Sequence, residues 1–329
     1  AINSKDTYQN VGAASGGQSA AKVYVTNHGS ITTYGGDSSG QSGTALGGTA
    51  ILAQSIGGGG GVNIGGGAAG NFGASGGNGT DGALIKINNY GALTTHGSEA
   101  HGIVAQSVGG GGGSGRNGGG FFVAVGGSGG NGGAGGEIDI INNERITTQG
   151  DYATGVLAQS IGGGGGNGGK ARSWTILGSL NASIGGSGGS GGAGGAITYA
   201  SKSFRAGIAT SGDNASGLVL QSIGGGGGSG GSAKSFSSGL VFAISLAVGG
   251  DGGEGGDGGQ ITANLFHPVS TSGTDSKGIV VQSIGGGGGS GASSTAKSIA
   301  AGLPTEGEGK SVALNLDTSI GGSGEKGGD

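Results

Sequence analysis

The apolar residues of this chain occur in short runs, and glycine-rich segments separate one run from the next. Several runs alternate strictly between apolar and small residues, the longest being Leu240, Phe242, Ile244, Leu246 and Val248. A period of two is the signature of a β-strand whose two faces differ. No apolar stripe with the 3.6-residue period of an amphipathic helix has a useful length. The pattern therefore predicts an all-β protein with almost no helix.

One block of sequence recurs five times. An apolar triplet is followed by Gln-Ser-Ile or Gln-Ser-Val and then by five glycines, as in IVAQSVGGGGG from Ile103 to Gly113. Successive glutamines are 52, 53, 62 and 61 residues apart, and they are Gln54, Gln106, Gln159, Gln221 and Gln282. Like residues stack in columns when repeats pack on one another, and stacked amides can bond along the column. We predict that these glutamines form a structural ladder.

A second block lies upstream of each glutamine. In four copies an apolar residue lies 13 positions before the glutamine, and a threonine follows that residue by two positions. The first copy has ten extra residues in a Gly/Ser-rich stretch around residues 40–48, which predicts a surface loop there. The threonines of the five copies are Thr33, Thr95, Thr148, Thr210 and Thr271. We predict that they too form a column.

A third block is a glycine tract of the form GGxGGxGGxGG, found at 126–136, 185–195 and 249–259. A period of three fits a polyproline-II-type helix, which has three residues per turn and rises about 3.1 Å per residue. Paired glycines without Cβ atoms let such a segment lie directly on neighbouring backbone. We therefore predict polyglycine-II-like segments, as a subsidiary or as the main element. The Gln-Ser strand should then be buried on both faces, with the tract covering one of them.

Repeats that bury a face only by stacking on their neighbours predict one continuous parallel β-solenoid of about five units. Its parts are the end of a preceding unit at 1–20 and the repeats 21–82, 83–136, 137–195, 196–259 and 260–329. A unit of 54 to 70 residues greatly exceeds a solenoid coil of roughly 20 residues, so two or three coils per unit are expected. Asn88, Asn89 and Gly91 are predicted turn residues, where left-handed backbone is least costly.

Composition excludes several classes of protein. Of the 329 residues 97 are glycine and none is cysteine, so neither a disulfide framework nor a thiolate metal site can form. The net charge of −4 with 14 Lys+Arg argues against binding to nucleic acid. No apolar run approaches the ~20 residues of a transmembrane segment. The absence of methionine and of a charged leader indicates an excised or processed piece of a longer chain.

The candidate sites for chemistry are weak. Asp251, Glu254 and Asp257 lie three residues apart in a glycine tract, which places neighbouring carboxylates about 9 Å apart in an extended glycine helix. Calcium ligands lie at 2.3–2.6 Å from the ion, so these residues are predicted to form a solvated edge. The four histidines are scattered and are predicted to be solvated turn residues. We predict no catalytic residue, no cofactor and no metal.

The strings ITTxG, GIxAQSIGGGGG and GGSGGxGG resemble the glycine-rich passenger repeats of bacterial autotransporters, over roughly residues 21 to 329. The resemblance implies type V secretion, a right-handed parallel β-helix, and a location on the bacterial cell surface or outside the cell. It implies a role as stalk or adhesive material, in adhesion or biofilm, more than as a catalyst.

The preferred hypothesis is a non-enzymatic, surface-displayed stalk or adhesive fibre. Its expected partners are copies of itself, side to side or end to end, and a host or matrix surface. The variable insertions around Phe121, Trp174, Phe242 and Pro304 are the expected places for specific contacts. One alternative is a carbohydrate-active β-helix enzyme, which needs a cluster of carboxylates in a groove. A second is an ice-binding solenoid that uses the threonine column, with rows 10–14 Å apart if each unit holds several coils.

Overall fold

A computed structural model describes residues 9–12, 20–34, 48–61, 72–176, 180–304 and 311–329. All regular secondary structure in these ranges is β-strand, arranged in five parallel sheets and one short antiparallel pair. The predicted fold class, an all-β parallel solenoid, is confirmed. The loop predicted around residues 40–48 lies almost entirely outside the described ranges, as do most of segment 1–20 and residues 305–310 of the insertion around Pro304.

Three of the parallel sheets form the walls of the solenoid. The glutamine sheet contains the strands Gln9–Gly12, Ile51–Ile56, Ile103–Val108, Val156–Ile161, Leu218–Ile223 and Ile279–Ile284. The asparagine sheet contains Val23–Asn27, Ile85–Asn89, Ile138–Asn142, Ile197–Ser201 and Ile261–Asn264. The threonine sheet contains Ile31–Tyr34, Leu93–His96, Ile146–Gln149, Ile208–Thr210 and Val269–Thr271.

The other two parallel sheets lie at the far end of the glycine segments. They are built from the outgoing and returning strands of each coil, which we call a hairpin although each strand pairs with strands of neighbouring coils and not with the other strand of its own coil. The first hairpin sheet contains Gly118–Gly120, Ala171–Thr175, Ala233–Gly239 and Ser294–Ala300. The second contains the returning strands Val123–Val125, Leu180–Ile184, Phe242–Val248 and Leu314–Ile320. Leu303–Pro304 and Ser311–Val312 form the antiparallel pair.

Each repeat forms one coil, not the two or three that its length predicts. Gln54 lies opposite Gln106, and Gln106 lies opposite Gln159, in directly hydrogen-bonded parallel strands. Equivalent residues of successive repeats are therefore one strand spacing apart, about 4.8 Å. The additional length is an excursion in each coil: a glycine segment leads out to the hairpin, and a second glycine segment leads back.

The core lies between the three walls and consists of columns of like side chains. Ile85, Ile138 and Ile197 are fully buried and pair in register. The Gln-Ser strand alternates: Ile103, Ala105 and Ser107 face the core, whereas the outward positions of its sheet are mostly half-buried. The expectation of two buried faces holds at Val104, which is 6 % exposed, but not for the other outward positions of the sheet, because the returning glycine tract reaches the inward serine and not the outward side.

The glycine segments form two hydrogen-bonded layers, and the five-glycine runs belong to them together with the GGx tracts. Within a layer, Gly109 donates its N–H to the carbonyl of Ile161 on the next coil, at 2.8 Å. Between layers, Gly163 donates to the carbonyl of Gly133 in the antiparallel tract, at 2.8 Å. The same two bonds recur every three residues, which is the period of a polyglycine-II helix. These contacts require glycine, since a Cβ on Gly163 would lie 2.1 Å from the carbonyl oxygen of Gly110.

At several turns of the glycine helices the third N–H is bonded by an asparagine or aspartate side chain of the preceding coil. Asn78 accepts from the N–H of Asn131 at 2.9 Å, and Asn131 accepts from that of Ser190 at 3.0 Å. Asn117 does the same for Lys170, at 2.8 Å. The x positions of the tracts are thus part of the bonding along the solenoid axis.

The turn predicted at Asn88, Asn89 and Gly91 begins later than expected, because Asn88 and Asn89 belong to the strand Ile85–Asn89 and the chain bends at Gly91. Asn89 ends a strand with its side chain buried, and its amide donates to Asn142 while accepting from Asn27, both at 2.7 Å. Left-handed backbone at described non-glycine residues occurs at the corner after the threonine sheet, at Glu99, Tyr152, Asn214 and Asp275, with φ between 53° and 61°, and at Phe122 between two hairpin strands, with φ of 65°. The asparagine side chain bonds along the axis, and the Oδ1 of Asn89 also accepts the N–H of Gly91 at 3.4 Å in the connection to the next strand.

Candidate functional site

The five predicted glutamines form a continuous chain of amide hydrogen bonds on the outward face of the glutamine sheet. Each Nε2 donates to the Oε1 of the glutamine on the next coil, from Gln54 through to Gln282, over 2.7 to 2.8 Å. The first four are half-buried and Gln282 is exposed. Because every internal amide both donates and accepts within the ladder, its chemistry is structural.

Gln159→Glu is expected to destabilise the fold, whereas Gln282→Glu is expected to have little effect. A carboxylate at 159 can accept from Gln106 but cannot donate to Gln221. A carboxylate oxygen then lies next to the Oε1 of Gln221 with no proton between them, and we expect this to lower the free energy of unfolding by about 1–2 kcal/mol. Gln282 only accepts within the ladder. Urea unfolding at pH 7 measures both variants, and at pH 4 the deficit of Gln159→Glu should shrink because a protonated carboxyl donates. Equal losses for the two variants would contradict the ladder.

The predicted threonine column points into the solenoid. Thr95 and Thr148 are fully buried, and Thr210 is 3 % exposed. The hydroxyl of Thr148 donates to the carbonyl of Ala153 at 2.6 Å, and the same bond to the residue five positions later recurs along the column. These threonines hold the corner of the coil. They do not supply the exposed rows that the ice-binding alternative needs.

The acidic residues of the third GGx tract lie at the surface. Asp251 accepts from the backbone N–H of Ser323 at 2.7 Å and from its hydroxyl at 2.9 Å, and these bonds lower the pKa of Asp251. Asp257 accepts from the N–H of Asp329 at 2.9 Å. Two of the three carboxylates thus cap backbone of the next coil. Within the described ranges no three histidine, aspartate or glutamate side chains are grouped as metal ligands.

The histidines are more structured than turn residues in solvent. His28 stacks on Tyr90 and His96 on Tyr34, with ring centroids 5.0 and 4.9 Å apart. His101 is half-buried, and its Nδ1 accepts the backbone N–H of Thr154 at 3.0 Å. Burial lowers the pKa of His101, and only the neutral ring can accept this bond.

The His101 bond predicts that stability falls in mild acid. The pKa of His101 is depressed in the folded state relative to about 6.5 in the unfolded chain. Its contribution is therefore complete above about pH 6.5 and is lost as the pH falls below that value. In His101→Asn an amide oxygen can accept the same N–H without titrating. We expect the melting temperature to fall less in this variant than in the wild type between pH 7.5 and pH 5.5, and parallel curves would refute the assignment.

The hairpin layer has a small, polar interior. Ser173 and Ser183 face each other from the two hairpin sheets, with their hydroxyl oxygens 2.7 Å apart. Ser235, Ser237 and Ser245 are also buried there. The large side chains of these strands consequently point outward, and the two outward faces differ in chemistry.

The outward side of the second hairpin sheet is apolar, and we name it the aliphatic face. Leu180 is 58 % exposed and Phe242 is 46 % exposed. No charged residue occupies an outward position in its four strands. The face comprises Val123, Val125, Leu180, Ala182, Ile184, Phe242, Ile244, Leu246, Val248, Leu314, Leu316, Thr318 and Ile320.

The outward side of the first hairpin sheet is basic and aromatic, and we name it the cationic face. Its charged and aromatic side chains are Lys170, Arg172, Trp174, Lys234, Phe236 and Lys297, and its other outward side chains are Ser238, Thr295 and Ile299. The net charge of the whole chain, −4, gives no indication of this basic face. A signal was nevertheless present in the sequence, because the segments 109–136, 162–212, 214–250 and 276–305 contain lysine or arginine but no aspartate or glutamate.

Comparison with protein-family models, curated proteins and solved structures finds no match for this chain. Among the described residues there is no helix long and apolar enough to cross a membrane. The two outward faces of the hairpins are therefore the observations on which a function can be argued.

Proposed function

We propose that this protein is a non-enzymatic structural repeat protein, displayed on a bacterial cell surface or released from it, that associates with copies of itself as a stalk or adhesive fibre. The observation that carries the proposal is the aliphatic face. A soluble protein rarely exposes a contiguous apolar patch of this kind unless the patch is an interaction site.

The size and chemistry of the aliphatic face suit a second copy of the same chain. Its exposed apolar residues are contiguous across the strands of four coils, and a contiguous apolar patch is typical of a protein–protein interaction site. Its columns repeat at the strand spacing of about 4.8 Å, and two such sheets pack face to face at about 10 Å. An identical face has the same period and no charge to repel it, so a two-fold contact between copies is self-complementary.

The bonding along the axis supports a stiff stalk. Glutamine, asparagine and glycine-layer hydrogen bonds all join one coil to the next. The stability of a repeat protein is approximately the sum of the contributions from such contacts between neighbouring repeats, so each added coil is held by the same bonds. The resemblance of the ITTxG and QSIGGGGG strings to autotransporter passenger repeats supports surface display, and antibody labelling of intact source cells tests it: labelling only after permeabilisation would reject it.

Sedimentation velocity across a concentration series tests self-association. We expect the wild type to form dimers or larger species, and Ile244→Lys with Leu246→Lys to sediment as a monomer. The matched control is Phe204→Lys with Phe266→Lys, which places the same two charges on strongly exposed aromatics of the solenoid corner and should leave association unchanged. A wild type that stays monomeric at every concentration would defeat the proposal.

A further inference from the structure

The cationic face brings together positive charges from three consecutive coils. Arg172 and Lys234 are direct partners in neighbouring parallel strands, and Lys297 lies on the following strand, opposite Phe236. Lys170 precedes Arg172 by two positions, and all four side chains are exposed. Neighbouring strands are about 4.8 Å apart, so these cations occupy one compact area.

This arrangement is unfavourable without a counter-charge. Like charges directly opposite in neighbouring strands destabilise a sheet. None of the four cations forms an ion pair with a described residue, and the ion pairs of Lys86 with Asp139 and of Arg205 with Glu144 lie on other strands and loops. The four strands of the first hairpin sheet contain no acidic residue. Among the described residues nothing supplies the opposite charge to these cations, and solvent ions or an anionic ligand would supply it.

Exposed aromatic rings lie among the cations. Trp174 is 48 % exposed, and the ring of Phe121 packs against it with centroids 4.4 Å apart. Phe236 is the direct partner of Trp174 on the next coil. Aromatic faces offer a flat apolar surface to the C–H face of a pyranose ring. The planar guanidinium of Arg172 matches a carboxylate or sulfate with two parallel hydrogen bonds.

We propose that the cationic face binds an extended anionic polysaccharide. Its carboxylate or sulfate groups pair with Lys170, Arg172, Lys234 and Lys297, and its sugar rings pack on Trp174 and Phe236. Nucleic acid is the weaker candidate, because duplex DNA carries a charge every ~1.7 Å and a face with four cations can neutralise only a few of its phosphates. The site lies on a different sheet from the aliphatic face, so it does not depend on self-association.

Binding to immobilised polysaccharides tests the proposal. Polygalacturonate supplies carboxylates, dextran sulfate supplies sulfates, and neutral dextran is the uncharged control. We expect saturable binding to at least one anionic polymer, none to dextran, and weaker binding in about 0.5 M salt, where the screening length falls to several Å. Binding to dextran alone, or to none of the three, would overturn the proposal.

Two variants and a matched control locate the site. Arg172→Gln with Lys234→Gln is expected to weaken binding at least about tenfold, and Trp174→Ala about fivefold with an unchanged salt dependence. Lys202→Gln with Lys277→Gln removes the same charge from exposed positions elsewhere and should change affinity less than about twofold. If the control loses as much affinity, the loss is explained by net charge alone and the proposed site is wrong.

Stability separates lost binding from lost folding. Removing two like charges that face each other should leave the melting temperature of Arg172→Gln with Lys234→Gln unchanged or raise it. Lost binding at an undiminished melting temperature supports the site. Tighter binding to single-stranded DNA or to anionic phospholipid vesicles than to either polysaccharide, with the same dependence on Arg172 and Lys234, would assign the face to another class of partner and overturn the proposal.

Discussion

Replacing Gly163 with alanine is expected to disrupt the glycine layers, whereas replacing the adjacent Gly164 is expected to leave them intact. A Cβ at 163 would lie 2.1 Å from the carbonyl oxygen of Gly110, and backbone cannot move away without breaking the hydrogen bonds of both layers. A Cβ at 164 would meet nothing closer than 3.6 Å. We expect a loss of at least ~3 kcal/mol for Gly163→Ala. Gly164→Ala should be neutral or should stabilise by up to ~1 kcal/mol through the unfolded chain.

Denaturant unfolding followed by circular dichroism compares the two variants directly. The pair is closely matched, because the substitutions are chemically identical and one residue apart in the same five-glycine run. The same contrast should hold in the neighbouring coil between Gly225 and Gly226, whose Cβ atoms would meet backbone oxygen at 2.1 and 3.5 Å. Equal unfolding midpoints for Gly163→Ala and Gly164→Ala would reject the layered glycine helices.

The second large effect is expected at the serine that follows each ladder glutamine. Ser160 is fully buried, donates to the carbonyl of Gly136 at 2.8 Å and accepts the N–H of Gly195 at 2.8 Å. It thereby joins the glutamine strand to the ends of the returning glycine tracts of its own and the preceding coil. In Ser160→Ala both backbone groups lose their partner at once. We expect the free energy of unfolding to fall by about 2–4 kcal/mol.

Ser187→Ala is the control for this substitution. Ser187 occupies an x position of a GGx tract, is only half-buried, and its hydroxyl makes no hydrogen bond to the described residues. Surface changes of this kind typically stay within ~0.5 kcal/mol. Thermal unfolding of both variants gives the comparison. If Ser160→Ala is as stable as Ser187→Ala, the hydrogen bonds of Ser160 do not stabilise the fold and the prediction is wrong.

The sequence repeat predicted the sheets well because parallel in-register stacking turns equal positions into neighbours. Gln54, Gln106 and Gln159 are therefore adjacent in space as the repeat implies. The number of coils could not be obtained this way, since a repeat length contains both the walls and the excursion. The prediction that Asn89 is a turn residue failed because asparagine is favourable both in a left-handed turn and in a buried column of hydrogen-bonded amides, and the sequence does not distinguish the two.

The outward surfaces were the hardest part to predict. A period of two indicates that Phe242, Ile244 and Leu246 share a face, but it does not indicate which face meets water. The decision depends on the partner sheet, whose serines fill the narrow space between the two hairpin layers. The cationic face was missed for a different reason, because whole-chain net charge averages over segments that are locally free of acidic residues.

Because one sequence repeat forms one coil, a gene duplication of one repeat length changes the protein by one whole coil. Duplicating one repeat adds one coil whose glutamine, asparagine and glycine contacts already match those of its neighbours. The hairpin strands vary in length, from three residues in Val123–Val125 to seven in Phe242–Val248, whereas the strands of the glutamine wall stay in register. Recombination can therefore lengthen the solenoid, and mutation can diversify the hairpins at the far ends of the glycine layers, without either process disturbing the core.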